Sequence, residues 1–285
     1  MDTKFINLRF ESNKKVIEVG RGKPYRLLNI EGIEAGEMEL STADNVLYDG
    51  SKIRNRRIKF RPITIECEYT GKNVEEQRRF LSSFFNVHYD GILKIDYAGV
   101  KRETIYMVEG FRAKLENVYN PLRFLVHLYC PDPFLMGSIT YSQEMADWVG
   151  GLRFPLQLPM MFAGRSTRQS TIIRNDGDVP TPVTLEFLGP AVNPKVIKDD
   201  TGEYIQVNRE IGEDEKLIVS TGFGDKRVIL RNRITGEETN AFGWIDLGST
   251  FFQLDVGNNL ISYSAESGQE TAKVWIKWRN RYLGV

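Results

Sequence analysis

The sequence predicts a mainly β protein in two domains. Three observations carry this. Apolar and polar residues alternate through the first half, one segment alone has the period of a helix, and the second half breaks into many short strand-like runs separated by turn residues. At 285 residues the chain is long enough for each half to bury a core of its own.

The run "KFINLRF" places Ile6, Leu8 and Phe10 on one parity and Phe5 and Asn7 on the other. Val16, Ile17 and Val19 follow a turn at Ser12-Asn13, so a hairpin is expected. Asp49-Gly50 then supplies a tight turn inside the long β-rich segment "VLYDGSKIRNRRIKFRPITIECEY". Its apolar residues fall at even positions, Ile58 and Phe60, and then at odd ones, Ile63, Ile65, Cys67 and Tyr69. The switch brackets Pro62, which cannot donate to a ladder, so a bulge or an edge is expected there. Ahead of the switch the polar face carries Arg54, Arg56, Arg57 and Lys59. Two readings stand side by side: a solvated edge strand protected by charge, and a basic arm that pairs with a neighbouring subunit.

The helix is expected in "GKNVEEQRRFLSSFFNV". Asn73 and Glu76 have capping-box spacing, and Val74, Leu81, Phe84 and Phe85 form an apolar stripe that should lie against a sheet. Strand patterns resume around Leu93, Ile95 and Tyr97, in "TIYMVEGFRAKL" and in "LRFLVHLYC". The stretch "CPDPF" then interrupts them, because Pro131 and Pro133 disfavour strand and helix and bias their predecessors to an extended form. A domain boundary is expected there, dividing residues 1–133 from 134–285.

The second half begins with "FPLQLPMMF", where Leu156, Leu158, Met160 and Phe162 share a parity. Strands are expected through Val183, Leu185 and Phe187, and around Ile205, Leu217 and Val228, with turns at Asp176-Gly177, Thr201-Gly202 and Thr235-Gly236. At the end Val274, Ile276 and Trp278 alternate against Trp275 and Lys277. This spacing reads as an antiparallel sandwich.

Composition narrows the function. Lysine and arginine balance aspartate and glutamate at 38 each, so no global field draws the chain to nucleic acid or anionic lipid. The apolar runs are too short to span a bilayer, and "MDTKFINLRFESNKK" lacks the core of a signal peptide, so synthesis in a cytoplasm without membrane insertion is expected. Cys67 and Cys130 lie in β-like runs without close partners and read as buried, reduced thiols, with a disulfide as the alternative.

No catalytic or metal-binding residues are assigned. "GFGDKR" has a Gly-x-Gly pair but no third glycine and sits in a hairpin context, so it reads as a loop. Asp199, Asp200 and Glu203 read as a solvated turn in preference to a calcium site, and His88 and His127 lack ligand-spaced partners. Trp244, Trp275 and Trp278 suit either core packing or a sugar-stacking platform.

The order of features resembles a known family. The segment "YDGSKIRNRRIKFRPITIECEY" leads to the helix "VEEQRRFLSSFF", and a strand closes in "CPDPF" ahead of an all-β half ending "KWRNRYLGV". This is similar to the distal tail (Dit-like) proteins of long-tailed phages and phage-tail-like bacteriocins. Leu135 stands where a frequent family variant has tryptophan. The resemblance implies an N-terminal split β-barrel with one helix and a C-terminal galectin-like β-sandwich. It further implies a homo-hexameric ring at the distal end of the virion tail, assembled in the bacterial cytoplasm. Such a ring joins the tail tube protein to the tail-associated hub protein, often carries receptor-binding proteins on its rim, and lets DNA pass its lumen without specific binding. No cofactor and no enzymatic activity are implied. Under it, Arg54, Arg56, Arg57 and Lys59 become a subunit interface, and Phe134 with Leu135 an interdomain anchor. A carbohydrate-binding module and a tail-tip glycosidase or peptidase are the alternatives.

Overall fold

A computed structural model describes residues 3–36, 39–44, 49–114, 121–145, 169–268 and 272–285. The chain divides into two compact units, Met1–Ser138 with Arg281–Val285, and Ile139–Asn280. The division therefore falls after residue 138 and not after 133, and the segment from Arg281 to Val285 returns to the first unit.

The first unit contains β1 (Ile6–Ser12), β2 (Lys15–Val19), β3 (Tyr25–Glu31), β4 (Glu39–Asp44), β5 (Ser51–Arg57) and β6 (Arg61–Tyr69). The helix α1 (Val74–Phe84), β7 (Gly91–Tyr97), β8 (Val100–Lys114), β9 (Leu122–Cys130) and β10 (Leu135–Gly137) follow. The second unit runs through β11 (Tyr141–Glu144), β12 (Gln169–Asn175), β13 (Thr181–Leu188), β14 (Ala191–Val192), β15 (Lys195–Lys198), β16 (Glu203–Gln206) and β17 (Glu210–Ile211). It continues through β18 (Glu215–Ser220), β19 (Arg227–Asn232), β20 (Glu238–Asn240), β21 (Gln253–Leu254), β22 (Gly257–Ser264) and β23 (Lys273–Trp278), and β24 (Arg281–Tyr282) rejoins the first unit.

Seven strands of the first unit close into a barrel in the order β8-β7-β1-β2-β3-β6-β9, sealed by β8 against β9. The long β8 makes this closure possible. Its first half pairs with β7 and its second half with β9, and a register shift between Val108 and Gly110 marks the bulge at which it bends. The sequence alternation is the wall of this barrel: Ile6, Leu8, Phe10, Ile63, Ile65, Cys67, Phe124 and Val126 are buried in one core. Helix α1 adds Leu81, Phe84 and Phe85, whose last ring meets Phe10 edge-on at 5.3 Å and stacks on Phe111 at 5.4 Å.

One local expectation changes, and a second, the bulge or edge at Pro62, resolves to the edge. Asn73 adopts a left-handed backbone, φ 59°, and its side chain makes no capping hydrogen bond; its amide instead donates to Glu76 Oε2 at 3.4 Å. Asparagine tolerates that conformation, which turns the side chain away from the helix amides. The parity switch at Pro62 needs no bulge in β6. Ile58 and Phe60 lie between strands, so the two parities lie on either side of a break, and Pro62 pairs with Tyr129 of β9 beyond the last β3 partner, Thr64 with Glu31. Its missing N–H therefore costs no bond to β3.

In the second unit a sheet ordered β11-β23-β13-β18-β19-β20, with β21 beside β13, accompanies a sheet ordered β12-β22-β15-β16. Their inward residues, among them Leu185, Phe187, Val196, Ile205, Val219, Ile261 and Ile276, form a second core. The expected mainly β fold, barrel followed by sandwich, is the observed one. The expected strand at Leu156–Phe162 lies outside the described residues.

Candidate functional site

The four basic residues expected at an interface fall on or beside a hairpin of two strands, β4 and β5, that forms a sheet of its own. Every residue of β5 is exposed. Glu39 on β4 accepts from Arg57 Nε at 3.0 Å and from Lys59 Nζ at 2.7 Å. Those hydrogen bonds, Lys59 foremost, hold its carboxyl below the usual range. Arg57 and Lys59 are thus engaged within the hairpin. For Lys52, Arg54 and Arg56 no carboxylate partner is found among the described residues. The structure therefore splits the group that the sequence put together.

Phe134 and Leu135 lie within the first unit. Leu135 is fully buried in the barrel's core, and β10 pairs with both β8 and β24. Phe134 lies under the guanidinium of Arg281, 4.4 Å from the ring centroid. Arg281 Nη2 also donates to both carboxylate oxygens of Asp132, at 2.7 and 2.9 Å, while Asp132 Oδ1 accepts from the Phe134 amide at 3.0 Å. The "CPDPF" turn is thus tied to residues nearly 150 positions away.

Arg61 joins these pieces, and sequence reasoning missed it. Its side chain is 2 % exposed and has backbone carbonyls as its hydrogen-bond acceptors. Nε donates to Pro133 O at 2.7 Å, Nη1 to Gly32 O at 2.7 Å and Glu34 O at 2.6 Å, and Nη2 to Leu283 O at 2.5 Å. Desolvation pulls the guanidinium below its ordinary pKa, against the opposing influence of Cys130, Asp132 and Glu34. Gly32 fits here because its φ is +89° and a Cβ would overlap the Pro62 carbonyl. A signal for Arg61 did exist: it shares the inward parity of Ile63, Ile65 and Cys67.

The remaining candidates resolve into structural roles. The guanidinium of Arg209 covers one face of Trp244 at 3.8 Å, so that face is not open for stacking a sugar. Trp278 belongs to the sandwich core, and Trp275 lies on the opposite face of its strand, beside Glu144 and Glu186. Asp199 accepts from Ser262 Oγ at 2.9 Å and Asp200 from the Leu260 amide at 3.0 Å, which makes them anchors of the β15–β16 turn. His127 Nδ1 lies 3.1 Å from Thr64 Oγ1, and His88 is exposed. The "GFGDKR" stretch is the loop between β18 and β19. Cys67 and Cys130 are free and buried; Cys130 pairs with Arg61 at one end of the β6–β9 ladder and Cys67 with Phe124 well along it, too far apart to bridge. Burial pushes the Cys130 thiol up to about 11 and that of Cys67 further still.

Residues 176–282 match the family described as siphovirus-type tail component, C-terminal domain. No curated protein sequence matches the chain. Among solved structures, the chain is similar to the crystal structure of SPP1 Dit, described as a paradigm of the hub adsorption apparatus in phages infecting Gram-positive hosts. The TM-score is 0.68 at 12 % identity, over 96 % of this chain and 98 % of that one. It is also similar to structures of the phage p2 baseplate in its activated conformation with Ca and with Sr, at TM-scores of 0.55 and 0.56 and 12 % identity, over 95 % of this chain and 97 % of each. The resemblance to distal tail proteins read from the sequence is borne out by these matches.

Proposed function

We propose that the chain is a non-enzymatic structural hub at the distal end of a phage or phage-like tail. Six copies close into a ring through their first units, connecting the tail tube protein to the tail-associated hub protein and offering the rim to receptor-binding proteins. The observation that carries this reading is the β4–β5 hairpin. A two-stranded sheet exposed on both faces is marginal in water and gains stability only when something covers it. The family match of the second unit supplies the tail context.

A cyclic ring needs two different surfaces per subunit, and it closes when the rotation between them fits. An arm that reaches a neighbour supplies one of them. DNA passing the bore meets a chain of zero net charge, so no excess of phosphate contacts retains it. Native mass measurement and negative-stain imaging of the full chain, alone and with its tail neighbours, test the reading. Annular particles of six copies are expected, and a persistent monomer under both conditions refutes it.

A further inference from the structure

The geometry points to a site for free phosphate or a phosphate monoester on the outer wall of the barrel, formed by Arg112 and Lys114 of β8 and Arg123 of β9. The site does not depend on the ring reading.

The register of one ladder brings the three cations together. Lys114 pairs directly with Arg123, and Arg112 pairs with Leu125, which sets Arg112 diagonally across from Arg123. All three have the parity opposite to Phe111, Ala113, Phe124 and Val126, which pack in the core, so they stand on the outer face and are exposed. Like charges directly opposite one another destabilise a ladder, and long side chains reach their diagonal neighbours too. No carboxylate partner relieves this among the described residues. Glu68 stands opposite Arg123 on β6, but it accepts from Arg26 Nη1 at 3.4 Å.

The wall is concave at this point. A cavity of about 470 Å³ is lined by the three cations, by Glu66, and by Pro121 and Leu125. That is the size of a site for a small ligand.

The charge of the lining selects the ligand. Three positive charges less the one negative charge of Glu66 leave an excess of two. A phosphate monoester approaches that charge at neutral pH, and a lone carboxylate does not. The guanidinium forks of Arg112 and Arg123 suit paired hydrogen bonds to phosphate oxygens, and Lys114 adds a compact charge. Leu125 and Pro121 offer an apolar wall to the carbon part of an ester. A phosphodiester of DNA carries one charge per phosphate and matches less well. The chain balances its charge overall, so the excess here is local.

Ligand-linked stability of the full chain tests this. Sodium phosphate, exchanged for sodium chloride at constant ionic strength, should move the urea transition of the first unit upward and saturably. The shift expected is about tenfold in the folding equilibrium at ten times the dissociation constant. Circular dichroism follows both units, and the fluorescence of Trp244, Trp275 and Trp278 follows the second, where it measures any general effect of excluded phosphate. Phenyl phosphate should act at lower concentration than inorganic phosphate, because its ring meets Leu125 and Pro121. Arg123→Gln should abolish both effects. In chloride alone it should leave the first unit no less stable, since a like-charge contact is removed, whereas an arginine of merely structural role would cost stability. The site is overturned if phosphate shifts the R123Q chain as much as the unaltered one, or if neither phosphate compound shifts the unaltered chain. If a short DNA duplex moves the transition and inorganic phosphate does not, the ligand is a nucleic-acid backbone and the monoester assignment is overturned.

Discussion

Replacing Arg61 with methionine keeps the aliphatic stem and removes all four hydrogen bonds to backbone carbonyls. Hydrogen bonds from a charged donor are worth about 1.5–3 kcal/mol each, so the gross loss is large. Against it stands the desolvation of a buried guanidinium, several kcal/mol, which methionine does not incur. The carbonyls keep their positions but lose their donor, and the net cost expected for the first unit is about 3–5 kcal/mol. Lysine has three donors for four acceptors and a shorter reach, so Arg61→Lys should fall between the two.

The tryptophans make the assay selective. The described tryptophans, Trp244, Trp275 and Trp278, belong to the second unit, so their fluorescence reports it, whereas far-UV circular dichroism reports both. In guanidinium chloride, Arg61→Met should shift the transition seen only by circular dichroism downward by roughly 1 M and leave the fluorescence transition in place. Deleting residues 281–285 removes the Leu283 acceptor and the β10–β24 pairing, so Arg61→Met should cost less in the truncated chain than in the full one. A loss under about 1 kcal/mol in the full chain, or equal shifts of both transitions, would refute the assignment of Arg61 as the knot of the first unit.

Other outcomes follow from the same contacts. Leu135→Ser should destabilise the first unit by about 3–5 kcal/mol in the circular-dichroism transition, because a fully buried core side chain is lost, whereas Phe134→Ser, half-buried under Arg281, should cost about 1–2 kcal/mol. Burial alone would raise the pKa of Glu186, but hydrogen bonds from Lys216 at 2.7 Å and Lys277 at 2.8 Å outweigh it and hold the carboxyl low. A depressed carboxyl stabilises fully above its unfolded value and loses that contribution as pH falls through the folded one. The fluorescence-monitored stability should therefore decline as the pH falls below the ordinary carboxylate range, and Glu186→Gln should flatten this decline. Neither Cys67 nor Cys130 should be carboxamidomethylated in the native protein at pH 8, and mass spectrometry should find both modified after unfolding.

Much of the fold was legible because burial in a barrel wall imposes a period of two, and Ile6, Leu8, Phe10, Ile63, Ile65 and Cys67 obey it. The helix was legible from Leu81, Phe84 and Phe85, although its cap was not, since the left-handed backbone of Asn73 depends on the local path of the chain. The basic cluster was legible as charge but not as geometry. Which arginines are neutralised depends on Glu39 across the hairpin, and which face Ile53 takes depends on a bulge that no residue type announces.

The junction was the part least open to sequence reasoning, for a topological reason. Prolines at 131 and 133 mark a departure from regular structure, but they do not say whether the chain has left the domain. Here it has not. Leu135 pairs with Tyr282, so the second unit is an insertion whose entry and exit spring from two strands of one ladder in the first. Local pattern cannot reveal a partner that returns after nearly 150 residues, yet a buried arginine without a carboxylate is a clue to one. Its charge is tolerable only where several segments converge their carbonyls on it, and Arg61 collects them from β6's neighbours, from the turn before β10 and from the segment after β24. The same guanidinium therefore binds the first unit's chain just before it leaves for the inserted unit, at Pro133, and just after it returns, at Leu283. Stability of the first unit and the closure of the two chain crossings that lead into and out of the second should accordingly fail together when Arg61 is lost.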